Sequence, residues 1–429
     1  MPVEKNDKKL QNAIKATFVT NATNAANTTN AAARAPRFLI AAGGTSGHIN
    51  PALSIAEELC RRRPDSVVEF VGTARGLEAT LVPAAGYPFN AVAARGFPRK
   101  PSKELLPAIR DYLKGRRQSR ELIRRFQPDV VIGTGGYVCG PAAAAAVGAG
   151  IPVALHEQNA FPGRANRFLA RKSQLIMVSF PDTERYFPAG KRVVLTGNPV
   201  RAAFFATTRE SARQKLHIAA EEKLLLVLGG SLGARTLNEA TLAAAAAPVL
   251  QSTRIILACG KLHVESITAA AAGYPNLSVF SYIENMHDYM AAADLIVCRA
   301  GAITCAEVAA LGRPSIMVPY PYAAGDHQTA NARSFADRGA SLLCPDSEFT
   351  GAWLIARLQE LLPDQERLTR MGAAAAGLAK PDAASDIADE IETLLPPGSS
   401  SRNSETSSTS EANATGNASE TSKTTGAGR

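Results

Sequence analysis

The chain has 429 residues, 46% of them hydrophobic and 20% charged, which suits two or three domains of an ordinary globular protein. Its cysteines (Cys60, Cys139, Cys259, Cys298, Cys305, Cys344) form no CxxC pair and its histidines no HExxH-like spacing, so neither a disulfide framework nor a metal site is expected, and a reducing compartment is. The net charge of +9 is uneven: Arg95 to Arg125 holds eleven Lys/Arg against three Asp/Glu, a surface for anionic lipid or nucleic acid.

Residues 1–35 are rich in Asn, Thr and Ala, and residues 397–429 in Ser and Thr. Neither stretch has enough large apolar side chains to offset the entropy of ordering, so both are expected to be disordered tails. The N-terminus lacks a signal-peptide pattern, and the longest apolar run, Pro141 to Leu155, is too short to span a bilayer. The expected compartment is the cytoplasm.

The folded part opens with RFLIAAGGTSGHINPALSIAEEL: a strand, a Gly43-Gly44 loop, then a helix entered through Pro51. Such a loop lets backbone approach a ligand closely, but it is neither a dinucleotide GxGxxG nor a P-loop. His48 closes the loop, and a structural and a catalytic role are equally open for it. A strand at Val67 to Val71 and a helix near Leu77 to Ala85 follow. In the basic segment, Leu105, Leu106, Ile109, Tyr112 and Leu113, then Leu122, Ile123 and Phe126, recur at helical spacing. That helix is either an ordinary solvated one with a core stripe or a surface that meets anionic lipid.

DVVIGTGGYVCGPAAAAA repeats the strand, glycine turn and helix, and IPVALHEQNAFPGRANRFLA does so again with His156, Glu157 and Asn159 beyond the strand. A polar cluster at the carboxyl end of a parallel strand is where open α/β sheets hold ligands. A boundary falls near Leu195–Arg201, and the alternation restarts at KLLLVLGGSLGARTLNEA, where Gly229-Gly230-Ser231 echoes the first loop. Two such halves imply two Rossmann-like, doubly wound α/β domains facing each other. Later, Leu295 to Cys298 reads as a strand, Arg299 to Ala302 as a turn, Ile303 to Leu311 as a helix stopped by Gly312 and Pro314, and Ser315 to Val318 as a strand. The first N–H groups of that helix are a seat for phosphate, and Glu307 either accepts from a ribose diol or is a solvated helix residue. A last helix runs from about Ala383 to Leu395.

In this order, GGTSGHINPALSIAEEL, GYVCGPAAAAA, HEQNAFPGRAN, TGNPVR, LGGSLGARTLN, YIENM, CRAGAITCAEVAALGRPSIMVPYPYA and DHQTANA resemble the MurG family of glycosyltransferases (glycosyltransferase family 28), from about residue 37 to 395. The resemblance implies a GT-B fold. Residues 36–197 would be the acceptor and membrane-associating domain, 198–378 the donor domain and 379–396 a C-terminal helix. It implies metal-independent, inverting transfer of N-acetylglucosamine from UDP-N-acetylglucosamine to the C4 hydroxyl of lipid I (undecaprenyl-pyrophosphoryl-N-acetylmuramyl-pentapeptide), giving lipid II for peptidoglycan, with no cofactor.

Carried over by motif, Thr45, Ser46 and Gly47 face the donor's pyrophosphate and sugar, and Asn159 contacts the sugar. Arg201 and Ser231 hold phosphates, and Ile283 meets uracil through its backbone. Ala302, Ile303, Thr304, Cys305, Ala306 and Glu307 take the diphosphate and ribose, and Gln328 the sugar hydroxyls. His48 is the candidate base, with Asn159 or Glu157 as sharers of the role. Departures from the family pattern are small: Cys305-Ala306 stands where Val-Ser is frequent, and Gly325 where a polar residue is common. Arg99, Lys100, Lys103, Arg116 and Arg117 are candidates for contact with an anionic inner leaflet, which places the protein peripherally on the cytoplasmic face of the inner membrane. Cell-wall synthesis and division proteins are candidate partners. A nucleotide-sugar epimerase of the same fold is the alternative enzyme. A nucleic-acid binder is disfavoured because only Phe97 and Tyr112 lie near the basic run.

Overall fold

The computed structural model describes residues 34–397 except positions 99, 101 and 231. Both tails expected from composition, and the candidates Arg99 and Ser231, therefore lie outside the described residues or, for positions 34, 35 and 397, at their margin.

Apolar runs rich in Val, Ile and Leu become parallel strands buried on both faces, and the segments between them become covering helices. The first half comprises β1 (Arg37–Ala42), α1 (Ser46–Arg62), β2 (Val67–Gly72), α2 (Glu78–Ala84), β3 (Phe89–Ala91), α3 (Leu105–Phe126), β4 (Val130–Gly135), α4 (Cys139–Gly148), β5 (Val153–Glu157), α5 (Arg164–Leu169), β6 (Leu175–Val178) and β7 (Val193–Leu195). The second comprises α6 (Ala203–Ala206), α7 (Arg209–Lys215), β8 (Lys223–Leu228), α8 (Arg235–Ala246), β9 (Thr253–Ala258), α9 (Val264–Ala271), β10 (Leu277–Phe280), α10 (Met286–Ala292), β11 (Leu295–Cys298), α11 (Ala302–Ala310), β12 (Ser315–Met317), α12 (His327–Ala336), β13 (Ser341–Leu343), α13 (Gly351–Leu361), α14 (Gln365–Ala376) and α15 (Ala383–Glu392).

The first half forms a seven-stranded sheet in the order β3-β2-β1-β4-β5-β6-β7, the second a six-stranded sheet in the order β10-β9-β8-β11-β12-β13. In each, the strand order reverses once, between β1 and β4 and between β8 and β11, so each sheet has one crevice at the carboxyl ends of its central strands. The β1–β4 register slips between Ala41 and Ala42, which brings Gly135 opposite Ala42 just where both strands turn into their loops.

Each sheet has an apolar layer on both faces. Phe38, Ile40, Ile55 and Leu59 centre one layer of the first sheet, and α15 completes it with Ile387, Ala388 and Ile391. The last helix, which follows the second sheet in sequence, thus packs on the first. Polar contacts fix it there: Arg62 binds Asp389 and Ser385, Arg192 binds Glu390, and Arg63 lies 3.4 Å from Glu392. The chain therefore crosses between the halves twice, and the crossings touch: Gly197 has φ +89°, and a Cβ there would lie 2.5 Å from the Lys380 Cβ. Only glycine serves at that position.

α3 is two-natured. Ala108, Gly115, Leu122, Ile123 and Phe126 are buried, but Leu106, Ile109 and Leu113 stand in solvent, Leu106 with 77% of its surface exposed. The apolar spacing over its first half is an outward stripe, while the core stripe belongs mainly to its last turns.

Candidate functional site

The site is built on the two glycine turns that leave β1 and β4. Gly136, at φ +88°, sits so close to the first turn that a Cβ there would be 2.2 Å from the Gly43 carbonyl oxygen. The Gly43-Gly44 loop is held from behind by Glu78. This fully buried carboxylate accepts from the Gly44 N–H at 3.1 Å and from the Thr73 N–H and hydroxyl at 2.9 and 2.7 Å. Burial pushes its pKa up, but the hydrogen bonds from Thr73 and Gly44 outweigh burial and keep the carboxyl below its ordinary value.

α1 begins directly after this loop. Thr45 is its extended N-cap without a side-chain cap bond, and no acidic residue stands in the first turn. Thr45 and Ser46 are exposed and Gly47 and His48 half-buried, so the helix presents its first N–H groups and positive end outward, as an anion site requires. The His48 ring packs over Gly135, where an added Cβ would lie 2.6 Å from its Nδ1. That Nδ1 is 3.0 Å from Gln158 Oε1.

Gln158 continues inward. Its Nε2 reaches the Nδ1 of His156 at 2.9 Å and the His156 carbonyl oxygen at 3.1 Å, and His156 Nε2 is 3.0 Å from the Gly197 carbonyl oxygen. His156 is fully buried, and burial pushes its pKa down to about 4; the Gly197 carbonyl opposes the shift and His48 adds to it. Glu157, also buried, faces the other way. Its oxygens accept from the Asn159 N–H and amide at 3.1 Å each, the Gly163 N–H at 2.9 Å and the Asn166 amide at 2.9 Å. A carboxylate so occupied is a clamp for the 159–163 loop, and the suggestion that it shares the role of base is set aside.

Across the crevice, β11 runs through Gly301 into α11, another helix with no side-chain cap and no acidic residue in its first turn. Two amides tie the halves together here. Asn198 donates to the Gln158 carbonyl at 3.0 Å and the Ala302 carbonyl at 3.4 Å. Asn331, fully buried on α12, donates to Asn159 Oδ1 at 3.2 Å and the Ala300 carbonyl at 3.0 Å, and accepts from the Ala160 N–H at 2.8 Å. Two helix N-termini, from two sheets, thus share one hydrogen-bonded network.

Glu307 lies one turn into α11, and its carboxylate has no hydrogen-bond partner among the described residues. Part of the residue is open, but burial of the carboxyl pushes its pKa up to about 7, opposed by the charge of Arg201. Arg201 is exposed, its guanidinium 5.3 Å from the Phe204 ring centre. Ile303, Thr304 and Ala306 are half-buried on the same helix. Cys305 is fully buried with its sulfur 3.9 Å from that of Met317, so its side chain is core, and its N–H already donates to the Gly301 carbonyl at 2.9 Å. Ile283 is also buried in the second sheet's apolar layer. Gln328 accepts from the Tyr320 N–H at 2.9 Å, which leaves its NH₂ for a ligand.

Comparison with known proteins gives this arrangement a family. The glycosyltransferase family 28 N-terminal domain matches residues 38–178, and the family 28 C-terminal domain matches residues 224–387. The chain belongs to glycosyltransferase family 28. Among its relatives, a Desulforudis audaxviator protein named UDP-N-acetylglucosamine--N-acetylmuramyl-(pentapeptide) pyrophosphoryl-undecaprenol N-acetylglucosamine transferase is 44% identical over 377 residues, covering 84% of this chain and 99% of that protein. One of the same name from Desulforamulus reducens is 42% identical over 368 residues, with the same shares covered. The crystal structure of Acinetobacter baumannii MurG is 34% identical, with a TM-score of 0.70 over 83% of this chain and 99% of that one. A UDP-GlcNAc 2-epimerase from Neisseria meningitidis, 16% identical with a TM-score of 0.60 over 83% of this chain and all of that one, shares the fold alone. The two-sheet, doubly wound family 28 architecture is thus the GT-B fold expected from the motifs.

Family 28 motifs did not single out Glu78, Gln158, Asn198 or Asn331 as working residues, although three of the four stand inside quoted motifs. The signal for Gln158 was present: HEQN is a polar run that begins inside an otherwise apolar strand, and buried polar groups need partners. Glu78 lies in no motif, and nothing in its neighbourhood marks it.

Proposed function

We propose that this protein transfers N-acetylglucosamine from UDP-N-acetylglucosamine to the C4 hydroxyl of lipid I, releasing UDP and giving lipid II. The observation that carries the reading is the bridge His48–Gln158–Asn198–Ala302, which sets a candidate base from one sheet beside an open helix N-terminus from the other. The names of the full-length relatives supply the two substrates.

In this reading the donor lies against the second sheet. Glu307 accepts from the ribose diol, the Ile283 backbone meets uracil, and the free N–H groups from Ala302 to Thr304, with Arg201 and Ser231, take the diphosphate beside Cys305 and Ala306. Gln328 and Asn159 meet the sugar hydroxyls, and Thr45, Ser46 and Gly47 approach the pyrophosphate and sugar from the first sheet. The acceptor C4 oxygen bonds to the anomeric carbon as the bond from that carbon to the UDP oxygen breaks, and its proton passes to His48. The charge on departing UDP is met by the α11 dipole and Arg201. A single displacement of this kind inverts the anomeric centre.

The acceptor's polyprenyl chain stays in the bilayer, so the first half must approach the membrane. No helix among the described residues is long and apolar enough to cross one. The exposed stripe Leu106–Ile109–Leu113 on α3, with exposed Lys100, Lys103, Arg110, Lys114 and Arg117 around it, supports peripheral docking on an anionic inner leaflet. Arg116 is half-buried and its Nε is enclosed without a partner, which makes it the weakest described member of that set.

Incubation with labelled UDP-N-acetylglucosamine, with and without lipid I, tests the reaction. Label should enter the lipid fraction only when lipid I is present. Conversion of the donor alone to an epimer would replace this reading with the other enzyme of the fold.

A further inference from the structure

The hydrogen bonds that run inward from His48 end on a group with only one possible role, and that fixes every proton in the series. The Gly197 carbonyl oxygen can only accept, so His156 Nε2, 3.0 Å away, carries a proton. The hydroxyl of Ser179, 3.4 Å from the same nitrogen, is itself within 2.8 Å of the Glu157 carbonyl and 2.9 Å of Asn198 Oδ1, so its proton is engaged elsewhere. His156 is neutral in its buried site, so its Nδ1 is a bare acceptor. Gln158 faces two acceptors there, that Nδ1 at 2.9 Å and the His156 carbonyl oxygen at 3.1 Å. Both call for N–H donors, which orients the amide with Nε2 inward and Oε1 toward His48. An amide oxygen can only accept, so the His48 Nδ1 at 3.0 Å must donate.

From this series we infer that Gln158, oriented by His156, is a positioning residue that holds His48 in the tautomer protonated on Nδ1, with Nε2 unprotonated. The inference deepens the proposed reaction and rests on the reading of His48 as its base. In this tautomer the bare Nε2 takes the proton of the acceptor hydroxyl as its oxygen bonds to the anomeric carbon. The imidazolium that results keeps its Nδ1–H on the Gln158 oxygen, whose partial negative charge stabilises it. The opposite tautomer has its lone pair aimed at the Gln158 oxygen and offers the substrate only an N–H, so it cannot act as a base. Neither Gln158 nor His156 touches substrate in this scheme.

The test reads the tautomer and the rate separately. Nitrogen-15 NMR of ring-labelled histidine in the full chain, assigned to His48 by comparison with His48→Ala, should show a protonated Nδ1 and a bare Nε2. A proton on Nε2 in the unmodified protein overturns the inference outright. Gln158→Leu removes the acceptor and should lower kcat by about 10–10²-fold, part of the roughly 10²–10⁴ that a positioned base supplies, with donor affinity unchanged.

Gln158→Glu distinguishes tautomer control from mere support. Its carboxylate still accepts from His48 Nδ1 but gives nothing to His156, so it should recover turnover and the Nδ1–H signal while remaining less stable. If the Leu and Glu variants lose turnover equally, Gln158 is only structural and the inference falls. Normal turnover in His48→Ala would instead sink the assignment of the base, and with it the catalytic consequence, while the measured tautomer of the unmodified protein would still be decided on its own.

Discussion

Asn331 on the second sheet's side donates to Asn159 Oδ1 at 3.2 Å, and through its own oxygen it accepts from the Ala160 N–H beside it. One buried amide thus holds the loop proposed to meet the donor sugar and, through the Ala300 carbonyl, the turn proposed to meet the diphosphate. Asn331→Leu keeps the branching of the side chain and removes all three bonds. It should lower stability by about 1–3 kcal/mol for the polar groups left unpaired, read from urea unfolding, and raise the KM for donor. An unchanged KM would mean that the loop keeps its shape without the tie.

Glu307→Ala should weaken donor binding by roughly 1.5–3 kcal/mol, about 10–150-fold, because the ribose diol loses a charged acceptor. Calorimetry on the free enzyme measures this directly. Since the acceptor must be ionised to take both hydroxyls, donor affinity should also rise with pH as the carboxyl, pushed up to about 7, loses its proton. Glu307→Gln should flatten that rise.

Stability without ligand should respond to pH with two opposite signs. Glu307 titrates at about 7 folded against an ordinary 4.5, so the folded chain holds the extra proton; its contribution is full below 4.5 and is lost as pH rises through 7. His156 titrates at about 4 folded against 6.5, so the unfolded chain holds the extra proton; its contribution is present above 6.5 and is lost as pH falls through 4. Urea midpoints of Glu307→Gln minus those of the unmodified protein should therefore grow from pH 4.5 to 7. A difference independent of pH would place the Glu307 carboxyl in solvent.

Removing the clamp behind the first glycine loop should affect chemistry more than donor binding. In Glu78→Leu the Gly44 and Thr73 N–H groups lose their acceptor, and the loop that leads into α1 loosens. Turnover should fall while donor affinity, set mainly by the other sheet, changes by less than about 3-fold, equivalent to under 1 kcal/mol. A parallel loss of donor affinity would mean that this loop, and not mainly the other sheet, sets how tightly the donor binds.

Membrane attachment should depend on both charge and the apolar stripe. Changing Lys100, Lys103, Arg116 and Arg117 together to Gln should reduce sedimentation with anionic vesicles, since each basic residue near such a surface contributes about 1 kcal/mol, and added salt should act likewise. Leu106→Ser with Leu113→Ser should reduce it even at high salt. Activity on a short water-soluble acceptor should survive both sets. Binding insensitive to salt and to all six changes would remove α3 from the interface.

Much of this molecule was legible in the residues because parallel strands and glycine turns write strong local patterns. The run LIVC became β11 with the expected bounds. GGTSGH gave its glycine loop, but the helix expected to be entered through Pro51 already begins at Ser46 and carries Pro51 inside it. Short edge strands such as β3 and β7 were not anticipated, since three residues carry too little periodicity. At the site, the residues proposed to face a ligand were named from motif, while those that hold them were not. Glu78 and Asn331 act through contacts 34 and 171 residues away, and no local pattern encodes such a separation. Spacing also left α3 open between a core stripe and an outward surface: helical periodicity says which residues share a face, not whether that face meets core or solvent.

The return of α15 to the first sheet decides how this chain can be taken apart. A single cut near Gly197 would leave the first sheet with Ile55 and Leu59 uncovered and the second carrying Ile387 and Ile391 on a helix with nothing beneath it. Each fragment would expose oily surface and aggregate. A usable pair needs two cuts, so that residues 383–392 travel with the first 197, either as a separate peptide or spliced on through a linker. Mixing that three-part set should restore a soluble assembly, whereas the two-part set should precipitate; the order of the sequence and the order of the cores are not the same.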